Sequence, residues 1–174
     1  MVGVVTDPLA TIEVLLPTTM TIQEKVQELG LMLPEPTKPG GNYVSVNIRG
    51  NIAYIAIQFP KQGDQWIYKG RLGAELTSED GYKAMQLCAL NVLAHINKSI
   101  GLDNLVGMNH MDAYYQVADG WDDAPKVVDG ASDLFVNVLG EKGKHSRAIF
   151  GVDKLPRNFA AGITCTFTIH TPIR

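Results

Sequence analysis

The sequence predicts an α+β domain in which two helices pack on one face of a mixed β-sheet, in the order β-β-α-β-α-β-β. Two observations predict this class. Runs rich in β-forming residues occur in both halves of the chain, and two long segments carry apolar residues at helical spacing between them. The 174 residues are 45% hydrophobic and 19% charged, which suits one domain with a single core.

Residues 1–42 are predicted to form an N-terminal extension, and residues 43–174 the α+β domain. The extension contains a short helix over residues 21–29, which Gly30 ends, and a Pro/Gly-rich connector over residues 34–41. Polar residues interrupt its apolar start and no basic segment precedes it, so we expect no secretion signal and a cytoplasmic protein. No apolar run reaches the roughly 20 residues of a membrane span.

The domain is predicted to begin with a hairpin of residues 43–48 and 52–59, joined by a turn at Gly50. A loop follows, and then a helix to about residue 98 that Thr77 or Ser78 can cap. Its predicted buried stripe shows the spacing of one helix face. The members of this stripe are Met85, Cys88, Ala89, Val92 and Ile96.

The second half is predicted to contain a long strand over residues 105–117 and a helix that begins near Asp123. Strands at residues 146–152 and 161–169 end the domain. The predicted buried stripe of the helix comprises Val127 or Val128, Ala131, Leu134, Phe135 and Val138. Cys88 and Cys165 both lie in apolar stretches and are predicted to be buried thiols in a reducing environment.

Several chemistries lack their characteristic spacing. The four histidines form no H-x-H or H-x-x-x-H pair and there is no C-x-x-C, so no metal site is expected. The sequence also has no phosphate-binding glycine motif and no G-x-S-x-G nucleophile turn. The net charge of −3 and the absence of a basic stripe argue against nucleic acid as a partner.

Arg147 is the strongest candidate for a binding residue. It lies in the strand-like run Ser-Arg-Ala-Ile-Phe-Gly-Val, where a guanidinium must meet an anion or remain solvated. Its planar fork of donors matches a carboxylate. The residues alone leave open a second interpretation, a surface arginine on an edge strand.

The run RAIFGVDKLP at residues 147–156 resembles the C-terminal signature of the Rid family, the reactive intermediate deaminases also called YjgF-like or L-PSP proteins. The hairpin NIAYIAIQ and the helical segment GYKAMQLCALN are similar to one sub-branch of that family. This resemblance covers about residues 43–169. It implies a chorismate-mutase-like fold, a homotrimer with clefts at the subunit interfaces, and cofactor-free hydrolysis of small enamines or imines to keto acids and ammonia.

The resemblance also implies roles for particular residues. Arg147 would bind the substrate carboxylate, Asp129 stands where the family has an asparagine, and Tyr43 would line the cleft; these three are the predicted catalytic residues. The predicted substrate-binding residues are Arg147, Ile57, Gln58, Ile149 and Thr164. The glutamate that positions water in deaminating members aligns with Gly162, so Asp129, Thr164, Tyr43 or His145 would have to replace it.

Three functions follow from this pattern. The first is hydrolytic deamination of a 2-imino acid or enamine by a trimer with a small-molecule substrate and no cofactor. Because Gly162 and Ile57 depart from the family pattern, the second is an isomerase, tautomerase or cyclisation enzyme that acts on a larger substrate. The third is a trimer that binds a ligand without turnover.

Overall fold

A computed structural model describes residues 20–63 and 65–170 of the chain. The expectation for the start of the chain therefore falls outside the described residues as far as residue 19. The described residues form three α-helices and seven strands, besides short 3-10 turns: α1 (Ile22–Glu28), β1 (Val46–Arg49), β2 (Ile52–Gln58), β3 (Lys61–Gln62), β4 (Gln65–Trp66), α2 (Ser78–Ser99), β5 (Leu105–Gln116), α3 (Ala124–Leu139), β6 (Ser146–Val152) and β7 (Ala161–Ile169).

The main sheet has five strands in the order β1-β2-β7-β5-β6. All neighbours are antiparallel except β5 and β6, which run parallel. A parallel pair needs a crossover between its strands, and α3 is that crossover. The predicted α+β class with a mixed sheet is therefore confirmed, and β6 lies at an edge of the sheet.

The two long helices are buried as predicted, and α2 is also capped as predicted. Thr77 is the N-cap of α2, where its hydroxyl accepts from the amide of Asp80 and the Asp80 carboxylate accepts from the amide of Thr77. Asp123 occupies the N-cap position of α3, but its side chain makes no capping hydrogen bond. Both predicted apolar stripes lie in one core with the inner face of the sheet, together with both cysteines.

Two local expectations differ from the structure. The first strand begins at Val46 rather than at residue 43, because a tight turn between Gly41 and Tyr43 precedes it and Tyr43 is 57% exposed. The predicted loop after β2 contains the small β3–β4 hairpin, with Gly63 in the left-handed region at its turn.

The N-terminal helix α1 packs against the domain through Val26, which is 2% exposed and part of the core. The boundary at residue 42 stays a prediction. None of the helices among the described residues is long and apolar enough to cross a membrane.

The crossing of α2 and α3 depends on Gly130. A Cβ atom at this position would lie 2.2 Å from the carbonyl oxygen of Tyr82. Beside this contact the Tyr82 hydroxyl donates to Asp133 at 2.8 Å. The helices approach so closely only because residue 130 has no side chain, and this approach sets the position of α3 over the sheet.

Replacing Gly130 with alanine is expected to lower the free energy of unfolding by about 3 kcal/mol or more, because backbone must move to admit the methyl group. Gly107 is the matched control, since a Cβ there would meet nothing closer than 3.7 Å. Urea unfolding of both variants measures the difference. Equal stabilities would show that the crossing can relax without cost.

Candidate functional site

Arg147 connects the edge strand to the helix above it. Its neighbours in register, Met111 and Cys165, are buried, so Arg147 lies on the helix-facing side of the sheet. Its Nη1 donates to Asp129 Oδ1 at 2.7 Å and to Ser132 Oγ at 3.1 Å. With a side chain 28% exposed, Arg147 is a partly buried cation that is paired with α3 on an edge strand.

Asp129 and Ser132 meet the same guanidinium because they are three residues apart on α3, on one face of the helix. The carboxylate of Asp129 is half exposed and forms a charge-assisted hydrogen bond with Arg147. The helix therefore holds the guanidinium from one side.

His145 extends this cluster. Its Nδ1 lies 2.7 Å from the carbonyl oxygen of Gly143, and its Nε2 lies 3.2 Å from Ser132 Oγ. A carbonyl only accepts, so Nδ1 carries the proton and Nε2 accepts from the serine hydroxyl. The hydrogen bonds thus run in series from Arg147 to Ser132, from Ser132 to His145, and from His145 to Gly143.

A glycine brings His145 to this position. A Cβ atom on Gly143 would lie 2.3 Å from the carbonyl oxygen of Phe135. The turn after α3 can therefore fold back against the helix only with glycine there. This return places His145 beside Ser132 on the helix that it has just left.

The environment favours a neutral imidazole. Burial lowers the pKa of His145 most, and the charges of Arg147 and His110 lower it further, while the hydrogen bond to Gly143 opposes them. A neutral histidine beside a fixed cation can accept a proton. Together these side chains border an open cavity of about 300 Å³, which is lined by Ser132, Val136, Lys144, His145 and Arg147.

A second cavity of about 350 Å³ lies near the other edge of the sheet. Three of the predicted site residues, Tyr43, Ile57 and Gln58, line it. Gln58 is 6% exposed and its Nε2 donates to the carbonyl oxygen of Ala56 at 2.9 Å. The hydroxyl of Tyr43 accepts from the Gly40 amide at 3.3 Å.

The space beside Gly162 is filled. A Cβ atom there would lie 2.9 Å from the ring of Phe59 and 3.0 Å from Ile57 Cδ1. The position at which the resemblance implies a water-positioning glutamate is therefore packed with apolar atoms. Any base in this protein must come from elsewhere.

The remaining predicted residues lie apart from both cavities. Thr164 is in register with Asp112, one residue out of phase with Arg147, so it lies on the opposite face of the sheet. Its hydroxyl lies 3.4 Å from the Asp112 carboxylate. Ile149 is on the helix-facing side of β6 and packs against the core.

Within one chain the predicted residues form two groups, and Thr164 and Ile149 lie apart from both. Strands β7 and β5 separate β2 from β6, and three strand spacings amount to roughly 14 Å. Arg147 and Asp129 are brought together, and so are Tyr43, Ile57 and Gln58. A small ligand cannot touch both groups in a single chain.

Sequence reasoning missed Ser132 and the aromatic and basic residues of the second cavity. Ser132 could have been found from its i, i+3 spacing to Asp129 on a predicted helix. Trp66 and Arg157 are distant in sequence and carry no joint signal. Among the described residues, no group of His, Cys, Asp and Glu side chains could hold a metal ion.

The fold belongs to a known class. Residues 23–167 match the sequence model of the family described as "YjgF/chorismate_mutase-like, putative endoribonuclease". The chain therefore belongs to the YjgF/chorismate-mutase-like family, as its sequence predicted.

Individual relatives agree with this assignment. Protein TCP17 of Trypanosoma cruzi is 33% identical over 137 residues, which cover 78% of this chain and 86% of that protein. The crystal structure of a "putative endoribonuclease" from Shewanella oneidensis MR-1 has a TM-score of 0.84 at 31% identity, covering 86% of this chain and all of that one. Protein Atu1372 of Agrobacterium tumefaciens, of unknown function, has a TM-score of 0.80 at 30% identity, covering 86% of this chain and 92% of that one.

The pKa of His145 should lie below its ordinary value, and Arg147→Gln should raise it without restoring that value, because burial is the larger cause. With a lowered pKa in the folded chain, His145 binds its proton at a higher pH in the unfolded chain than in the folded one. The contribution of His145 to the free energy of unfolding is therefore complete above about pH 6.5 and is lost as the pH falls below it. An NMR titration of the imidazole Cε1 proton measures both pKa values. A pKa of His145 at or above the ordinary value contradicts the assignment.

Proposed function

We propose that this protein is a cofactor-independent hydrolase of small carboxylate-bearing enamines or imines, and that it releases a keto acid and ammonia. The observation that carries the proposal is the guanidinium of Arg147, fixed by Asp129 and Ser132 at the border of a cavity. Family membership agrees with it, since Arg147 stands in the signature of the family.

Arg147 retains the capacity to bind a carboxylate. Of the five N–H donors of a guanidinium, Asp129 and Ser132 engage the two on Nη1, and the carbonyl oxygen of Pro125 engages one on Nη2 at a long 3.5 Å. One donor on Nη2 and the donor on Nε remain. A carboxylate can bind the Nε and Nη2 edge of a guanidinium in a bidentate manner.

His145 is the best candidate for the base. In the proposed reaction, water adds to the imine carbon, and one of its protons passes through His145 Nε2 to the nitrogen to give a carbinolamine. The hydroxyl proton of the carbinolamine then passes through Nε2 to the same nitrogen, the C–N bond breaks, and ammonia leaves as the C=O bond forms. Ser132, which already hydrogen-bonds to Nε2, connects the imidazole to the cavity. Asp129 positions Arg147. General-base help of this kind typically contributes 10²- to 10⁴-fold.

The activity is tested with 2-iminopropionate generated enzymatically in the assay, by following ammonia and pyruvate. Arg147→Ala should lower kcat/KM roughly 100-fold, because two charge-assisted hydrogen bonds to the carboxylate are lost. His145→Gln should lower kcat by roughly 10² or more while KM changes little. Arg49→Ala is the control, since this exposed arginine on β1 lies outside both cavities.

If the wild type releases ammonia and pyruvate no faster than the uncatalysed reaction, the hydrolase proposal is wrong. If the His145→Gln variant is as active as the wild type, His145 is not the base, but the hydrolase proposal still stands.

The filled space at Gly162 favours a second candidate, which is an isomerase, tautomerase or cyclisation enzyme that acts on a larger substrate through the second cavity. A third is ligand binding without turnover. Turnover of 2-iminopropionate separates both from the hydrolase.

We do not propose RNA hydrolysis, because a chain of net charge −3 lacks the electrostatic attraction that phosphate backbones require.

We also infer a homotrimer. The sheet face opposite the helices carries Tyr54 and Phe150, which are 47% and 43% exposed, and Tyr114 stacks on Phe150 at 5.3 Å between ring centroids. Exposed aromatic side chains of this kind are often covered by a partner. Association would also allow the Arg147 cavity of one chain to meet the second cavity of its neighbour.

Light scattering after size exclusion should give three times the 19.0 kDa mass of one chain at micromolar concentration. Phe150→Glu should shift the mass toward that of the monomer, because a buried unpaired carboxylate is costly. Met32→Glu is the control, since Met32 lies between α1 and the connector and is 87% exposed. A monomeric wild type contradicts the trimer.

A further inference from the structure

We propose that the connector over residues 34–41 is a pH-sensitive strap: protonation of His95 on α2 releases the connector from the helix and opens the second cavity. The inference does not depend on the chemistry at Arg147. It rests on a buried nitrogen without a partner, on the contacts that hold the connector against α2, and on the wall that the connector forms in the cavity.

His95 is buried with one ring nitrogen unpaired. The residue is 4% exposed, and its Nε2 is the one buried side-chain nitrogen or oxygen among the described residues that has no hydrogen-bond partner. A neutral imidazole can leave one nitrogen without a hydrogen, so this arrangement suits the neutral form. An imidazolium carries a hydrogen on both nitrogens, and the hydrogen on Nε2 would have no acceptor. A buried charge without a partner is costly.

His95 shares one face of α2 with two residues that hold other segments. Asn91, His95 and Lys98 follow the i, i+4, i+7 spacing of a single helix face. At one end of this face, Asn91 Nδ2 donates to the carbonyl oxygen of Phe59 at 3.1 Å. At the other end, Lys98 forms an ion pair with Glu35 of the connector. His95 lies between these two attachments.

The connector runs along this face and past His95. From Glu35, beside Lys98, the chain continues to residues 37–40, which line the second cavity together with Asn91. The rise along the helix from Lys98 to Asn91 is about 10 Å, a distance that about three extended residues can span. The connector therefore covers position 95, and the same segment forms one wall of the cavity.

Few contacts hold the connector in place. Its three prolines have no N–H group, and among the described residues no backbone–backbone hydrogen bond joins residues 34–40 to the rest of the domain. The side chains of Lys98 and Glu35 are 60% and 80% exposed, so their ion pair contributes little. Leu31 and Leu33, which precede the connector, pack against the core. A segment with so few contacts can open locally while the sheet and helices stay folded.

The surroundings of His95 oppose a positive charge. Burial lowers the pKa of His95 most, and the charge of Lys98 on the same helix lowers it further. No carboxylate among the described residues pairs with His95. On α3, Asp133 pairs with Tyr82 near the opposite end of α2. The other charged side chains on segments that contact this half of α2 are Glu35 on the connector, Lys61 on β3 and Asp103 in the turn after α2.

The direction of the pH effect follows from the lowered pKa. Release of the connector exposes His95 to water, where the pKa of a histidine is about 6.5. In the docked form His95 binds its proton only at lower pH. The docked form is therefore fully favoured above about pH 6.5 and loses stability as the pH falls below it. Because one proton is linked to release, the ratio of docked to released protein should fall by at most about tenfold per pH unit.

A nitroxide label on Thr37→Cys measures the release, because Cys88 and Cys165 are buried and the introduced thiol alone is accessible. Its EPR line shape should change from immobilised to mobile between about pH 7.5 and about pH 5.5. Adding His95→Leu should keep the label immobilised over this range, since leucine is of similar size and cannot be protonated. His170→Gln is the matched control, because His170 is exposed just after β7, and it should behave as the wild type.

A second measurement needs no change at residue 95. In the chain with native His95, the pH midpoint of release should coincide with the protonation of His95, followed by NMR at its imidazole Cε1 proton. The far-UV circular dichroism should stay constant over the same range, because the helices and the sheet remain folded. This comparison tests the proposal even if His95→Leu does not fold.

The opening of the cavity is measured at Trp66. Trp66 lines the cavity and becomes the one tryptophan of the chain in Trp121→Phe. Quenching of its fluorescence by acrylamide should increase along the same pH curve as the mobility of the label. Adding His95→Leu should abolish this increase.

Four results would overturn the strap: a label that stays immobilised at low pH, release that persists in His95→Leu, a midpoint that follows the loss of circular dichroism rather than the protonation of His95, or unchanged quenching of Trp66. None of them bears on turnover of 2-iminopropionate, so this inference and the hydrolase proposal can fail separately.

Discussion

The ion pair between Arg147 and Asp129 is the contact on which the rest of the site depends. An edge strand has one free side, and a partly buried guanidinium on it must be paired or solvated. Asp129 on α3 pairs with this guanidinium, with its Oδ1 2.7 Å from Arg147 Nη1. Ser132, about one helical turn further along α3, provides a second acceptor. The pair joins β6 to the crossover helix that precedes it, and the same contacts place His145 and the neighbouring cavity.

Close backbone approach at two glycines makes this junction possible. Gly130 lets α3 approach α2, and Gly143 lets the chain turn back against the end of α3. Gly130 thereby sets the distance of Asp129 and Ser132 from the sheet, and Gly143 places His145 beside Ser132. The chemistry proposed at Arg147 therefore depends on packing at residues that touch no ligand.

The second cavity shows a different arrangement. Ile57 and Phe59 fill the space beside Gly162, and the aromatic surface continues through Phe159 to Trp66. A carboxylate at residue 162 would be buried among apolar atoms there. Lys38 and Arg157 lie at the border of this cavity. The protein thus has a partly accessible arginine near each edge of its sheet, Arg147 on β6 and Arg157 beyond the β2 side.

The sequence by itself determined that five strands form the main sheet, the two long helices, their buried stripes, the family and Arg147 as the candidate anchor, because periodicity and short motifs are local properties. Only the tertiary structure decided that Thr164 lies on the opposite face from Arg147, that Tyr43 precedes its strand, and that Ser132, His145 and Arg147 form one cluster. It also decided that Trp66 and Arg157, 91 positions apart, share a cavity. Such pairs depend on strand order, register and close backbone approach, which are set by packing over the whole chain rather than by neighbouring residues.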